Sequence, residues 1–277
     1  SLRGVNNMNK AVAKTAKTEV ATFDISMFEA DANKGMENLG TEDLALPFLK
    51  VLSGNNVELD THETARKGDI YNTVTGVAYK GKEGVKVIPC AYQRRFIQWA
   101  PRGEGSGGPV AIYEPGQTRP EVDRDFEKHG DNKEWLTDGS GHYIEETAQH
   151  FVLIINEDGS IETALIAMKS TQLKKSRKWN SMMMSRSVKG QNGPFTPPRW
   201  SHVYRMKTVP EGNSKGDWHG WEMSVEGPVT DAGIYNRGKS FAESISAGDV
   251  VVKHTEDDGS SVKESDSDPV KEDEIPF

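Results

Sequence analysis

The sequence predicts a mainly β fold of the α+β class, and three observations predict it. From Asp69 onward, β-branched and aromatic residues alternate with polar ones in runs bounded by glycine turns, the period-two pattern of half-buried strands. Helical periodicity surfaces in only a few segments. Beyond Gly248 the chain loses apolar residues and turns to Ser, Asp, Glu and Lys, a composition that buries too little surface to offset the entropy of ordering.

The elements follow in chain order. Residues 1–25 read as a flexible polar arm, with 1–7 lying before Met8 as the expected natural start. Residues 26–37 and 42–52 can each form a short helix, the second with Thr41 as N-cap and Pro47 interrupting it. Strands are expected at 69–75, 85–99, 142–156, 161–168, 199–208 and 217–226. Asn156-Glu157-Asp158-Gly159 forms a tight hairpin turn, and Pro210-Glu211-Gly212-Asn213 opens a longer one. Residues 101–140, rich in Gly, Pro and charge, read as a long mobile insertion. Helices return at 170–187, capped by Ser170 or Thr171 with Leu173 and Met184 toward the core, and at 231–246. Many short strands with a few helices fit best a partly open, five- or six-stranded barrel of the oligonucleotide-binding (OB) kind over 26–247, with a β-sandwich as the alternative. Residues 248–277 read as a disordered acidic tail.

Composition narrows the function. The 277 residues suit one elaborated domain or two small ones. No stretch is apolar enough to span a membrane and no signal peptide opens the chain, which predicts a cytoplasmic protein. Cys90 is the only cysteine, so neither a disulfide within the chain nor a cysteine-cluster zinc site is expected. Walker-type glycine loops, nucleophile elbows and His-Glu-x-x-His pairs are absent from the sequence. The seven histidines (His62, His129, His142, His150, His202, His219, His254) show no ligand spacing. Glu145 and Glu146, adjacent on a strand, point to opposite faces. No cofactor, metal or catalytic residue is therefore expected.

Charge is distributed unevenly. The formal net charge is −8, yet Thr255 to Phe277 carry nine acids against two lysines, so nearly all of that excess sits in the tail. Residues 169–207 carry ten Lys and Arg with no Asp or Glu, interleaved with Trp179, Phe195, Trp200 and Tyr204. Cations that follow phosphates beside rings that stack on bases are the ingredients of single-strand recognition. The candidate contacts are Lys174, Lys175, Arg177, Lys178, Trp179, Arg186, Lys189, Arg199, Trp200 and Tyr204. Lys174, Arg177 and Lys178 share one helix face by their i, i+3, i+4 spacing. On the strand at 85–99, Tyr92, Arg94 and Phe96 share one face opposite Arg95, Ile97 and Trp99, and the first trio is the one assigned to the groove.

The chain ends Glu272-Asp273-Glu274-Ile275-Pro276-Phe277. This ending resembles the C-terminal tip of bacterial and phage single-stranded-DNA-binding proteins (SSBs), where acids precede a terminal Ile-Pro-Phe. A terminal Phe offers a ring to an apolar pocket and a carboxylate to a basic lip, while the acids steer toward cationic partners. The resemblance implies a phage or bacterial protein that acts in DNA replication, recombination and repair, coats single-stranded DNA without sequence preference and works in the cytoplasm of a bacterial cell. It also implies that the tail docks a DNA polymerase, primase-helicase or recombination protein and competes with DNA for the basic groove. A homo-oligomer is compatible with this reading. Two rivals are a phage DNA-metabolism enzyme, such as a nuclease or strand-annealing recombinase, and a protein-interaction adaptor.

Overall fold

The computed structural model describes residues 25–256, and the tail's last residues, Glu272 to Phe277, lie outside that range. The chain divides after Leu44 into two units. In the first, a helix over 25–30 gives way to turns in which Asn33 and Gly35 take positive φ, and a 3-10 turn follows at Thr41–Asp43. The helix expected over 26–37 is therefore cut short where the backbone turns left-handed.

The second unit begins at Ala45 and is built around two long strands. β1 (Leu49–Val51), β2 (Ile70–Asn72) and β3 (Ala78–Tyr79) form a small antiparallel sheet. β4 (Val85–Trp99) and β8 (Tyr143–Ile155) pair over nearly their whole length. At one half of that spine, β12 (His202–Asn213) and β13 (Gly216–Pro228) extend the β4 side and β9 (Ile161–Lys169) the β8 side. At the other half, β5 (Ala111–Tyr113) adds to β4, while β7 (Glu134–Leu136) and β6 (Val122–Asp123) add to β8. A separate hairpin joins β10 (Val188–Gly190) to β11 (Gly193–Phe195). The sheets do not close into a barrel.

Two helices cover the main sheet. α1 (Leu173–Met184) and the β1–β3 sheet lie on one face, over Val85, Val87, Val152, Ile154, Ala164, Ile166 and Trp221. α2 (Ala232–Ser246) lies on the other, over Ile88, Cys90, Phe151, Leu153, Leu165 and Ala167. α2 starts where the sequence predicts: Asp231 caps it by accepting from the Ile234 N–H at 2.9 Å. It packs closely, since a Cβ on Gly238 would meet Trp200 at 3.0 Å. The segment after α2 continues across the same face. Val250 and Val252 join its core, His254 lies against Phe48, and the Tyr143 hydroxyl donates to Glu256 at 3.0 Å.

A bulge in β4 makes this sandwich work. The register against β8 jumps between Pro89 and Ala91, and one extra residue reverses which parity faces which side. Val85 and Val87 before the bulge and Tyr92 after it thus share the α1 face, although their numbers alternate oppositely.

Several sequence expectations are revised. Residues 42–52 do not form a helix beyond the 3-10 turn. Pro47 offers its carbonyl to the Leu165 N–H at 2.9 Å, and Leu49, Lys50 and Val51 are buried as a strand. Residues 101–140 carry β5, β6 and β7 and join the main sheet at both edges. β12 runs on through Pro210 to Asn213, so the turn falls at 214–215. Proline's missing donor is tolerated there because β12 pairs with β4 only over Tyr204–Met206. No side chain caps α1, and Met184 is 73% exposed rather than in the core.

Candidate nucleic-acid interface

α1 turns Ser176, Trp179 and Met183 inward, an i, i+3, i+7 stripe. The outward side then bears Lys174, Arg177 and Lys178, all exposed. Lys175 lies between the two sides and pairs with Glu211 at 3.4 Å. Arg186 follows the helix half-buried, and Lys189 is exposed on the β10–β11 hairpin, where Phe195 is also 48% exposed. Among the described residues, Lys174, Arg177, Lys178, Arg186 and Lys189 have no carboxylate within ion-pair distance.

This arrangement works against the helix itself. Lys174 and Lys175 occupy its first turn, where the macrodipole is positive, and Lys174 faces Lys178 at i, i+4, a repulsive pair. Each effect costs a few tenths of a kcal/mol, and a bound polyanion would reverse both signs.

The aromatics of the block are divided. Trp179 and Tyr204 are 0% and 1% exposed, so neither offers a ring face to a base. They pack edge to face at 5.8 Å, and His150 stacks on Trp179 at 4.7 Å. Trp200 lies on the opposite face of the sheet against Tyr235 and α2. α1 alone therefore does not gather the rings that the sequence interleaves with its cations. Large rings in an alternating segment are drawn to the core, where they remove the most apolar area from water.

A second set lies along β4 on the α1 face. Arg199 donates to Asn180 Oδ1 at 2.9 Å, contacts His150 Nδ1 at 2.6 Å and lies over the Tyr92 ring at 5.5 Å. No carboxylate pairs with this mostly buried guanidinium among the described residues, and burial pulls its pKa down to about 10. Arg94 is exposed and bonded to Glu146 at 2.7 Å, and it also lies 5.0 Å from the Phe96 ring. Phe96 is buried in a cluster with Leu136 and Ile144, and the Arg119 guanidinium lies over its ring at 3.6 Å. Arg199, Tyr92, Arg94, Phe96 and Arg119 thus form a strip in which guanidinium planes alternate with rings. Arg119 was not legible as a site residue, because 114–121 has no periodicity and only the fold brings it onto β4.

Burial also holds two imidazoles neutral. His150, enclosed and beside Arg199, titrates well below its usual value, with its Nε2 2.7 Å from Ser176 Oγ. Burial, with Lys169 nearby, lowers His254 to about 4. The unfolded chain's imidazoles bind protons near pH 6.5 and the folded ones do not, so stability is complete above that pH and falls as pH drops toward 4. Each histidine contributes a slope of about 1.4 kcal/mol per pH unit. Thermal melts at pH 7.5 and 5 should show a clear drop in Tm, and equal melts would refute neutral burial.

Among the described residues, no group of three or more His, Cys, Asp or Glu is placed to hold a metal, and no helix is long and apolar enough to cross a membrane. A family model described as Pam3 phage gp34-like protein matches residues 15–251. No curated protein and no solved structure matches.

Proposed function

The chain belongs to the Pam3 phage gp34-like protein family, and on that footing we propose that it is a phage single-stranded-DNA-binding protein. It coats exposed strands through electrostatics with little sequence preference, makes no covalent change, and recruits replication or recombination proteins through its acidic tail. The observation that carries this reading is the run from Lys174 to Lys189, where five cations stand without carboxylate partners among the described residues, in a chain of net charge −8. An acidic protein keeps such a run unneutralised at some cost to its own helix, which favours an external polyanion as the ligand.

The strip along β4 favours a single strand over a duplex. Within that strip the exposed Arg94 and Arg119 guanidiniums and the half-buried Tyr92 ring offer surfaces on which unpaired bases stack, and a duplex hides its base faces. The Ile275-Pro276-Phe277 ending supports the recruiting role through its resemblance to the SSB tail.

The decisive experiment compares labelled single-stranded and duplex oligonucleotides. Tighter binding to the single strand is expected, and deleting residues 268–277 should leave or strengthen that affinity while abolishing capture of a replication partner. Preference for duplex, Mg²⁺-dependent cleavage, or weaker DNA binding by the truncated chain would each count against the proposal.

A further inference from the structure

Beside the strip on β4 lies a cleft of about 460 Å³ whose lining includes Gln117, Arg119, Pro120, Val122, Glu134 and Ile144. Its volume is in the ordinary range for small-ligand sites. β7 positions Glu134 by pairing it with Ile144 of β8, and Val122 and Ile144 supply an apolar floor continuous with Phe96. Glu134 is half-buried, and its carboxylate makes no hydrogen bond or ion pair among the described residues. Burial raises its carboxyl above the usual carboxylate value, with Arg124 and Arg119 opposing. A half-buried carboxylate without a donor is an expensive feature unless a ligand supplies one.

We propose that this cleft is a base-reading pocket selective for guanine in single-stranded DNA, with the Arg119 guanidinium stacking on the base and Glu134 accepting from its Watson–Crick edge. The inference rests on the single-strand reading above and adds a preference to it. One face of the Arg119 guanidinium lies on the Phe96 ring, and the arginine is exposed on its other side. Arginine planes and aromatic rings are the two surfaces on which unpaired bases stack. A carboxylate is acceptor-only and has room for two donors side by side. Guanine presents two such donors, the ring N1–H and the exocyclic amine. Adenine and cytosine present one amine beside an acceptor nitrogen, and thymine presents one ring N–H between two carbonyls that repel the carboxylate. The expected order is guanine first and thymine last.

The test is calorimetric titration of the full-length protein with dGMP, dAMP, dCMP and dTMP, alongside binding to oligo-dT. Wild type should bind dGMP about tenfold more tightly than dTMP, the scale of one good bidentate base contact. Glu134→Gln, nearly isosteric, should bring dGMP to the level of dTMP while leaving oligo-dT binding unchanged. Arg119→Ala should weaken all four nucleotides alike. Equal affinity for the four nucleotides, or a guanine preference that survives Glu134→Gln, overturns the proposal. Lost oligo-dT binding with guanine selectivity intact would count against the coating function and support the pocket.

Discussion

Replacing Lys174, Arg177 and Lys178 together with alanine should weaken binding to a single-stranded oligonucleotide roughly 10- to 100-fold at low salt and flatten its salt dependence. The three side chains are exposed on the outward side of α1 and none has a carboxylate partner among the described residues, so their removal leaves a helix relieved of its own repulsion rather than a damaged core. Each phosphate neutralised on a single strand contributes about 0.7 to the slope of log affinity against log salt. Losing three such contacts should lower that slope by about 2, with the far-ultraviolet circular dichroism spectrum unchanged. Arg94→Ala is the internal comparison: Arg94 already pairs with Glu146, so its effect on the slope should be smaller. An unchanged slope in the triple variant would remove α1 from the contact surface.

Trp179→Ala should lower stability by about 3–5 kcal/mol, the usual cost of deleting a large buried aromatic. The side chain is fully buried, stacked on His150 and edge-on to Tyr204, where it joins α1 to β8 and β12. Trp179→Phe keeps much of that volume and drops an indole N–H that has no partner among the described residues, so its cost should be smaller. Oligonucleotide affinity of the folded Trp179→Phe protein should stay within a few-fold of wild type. Denaturant titration and oligonucleotide binding measured on the same samples separate the two effects. A stable Trp179→Ala that loses DNA binding would show that the ring stacks on bases after all.

These two variants divide what the block at 169–207 carries. In the sequence its cations and rings look like one apparatus; in the fold they serve two. The helical period resolves part of this, because Ser176, Trp179 and Met183 share a stripe opposite Lys174, Arg177 and Lys178. It does not resolve Arg199 and Trp200, which leave the edge of the sheet toward opposite faces.

The sequence by itself determined the strands β4, β8, β9 and β13 to within a residue or two, the helix α2, and the separation of a basic block from an acidic end. Those features are local: period and charge are each written within a few residues. Only the tertiary structure decided that the sheets stay open between two helices, that Leu49–Val51 is a buried strand, and that residues 101–140 complete the main sheet. Only the tertiary structure, too, placed Arg119 on Phe96 and brought Glu134 into the same cleft. Each of these depends on pairing between segments far apart in the chain. One bulge at Pro89–Ala91 reverses the face of every later residue on β4, and no pattern within the strand reports which side the rest of the molecule will cover.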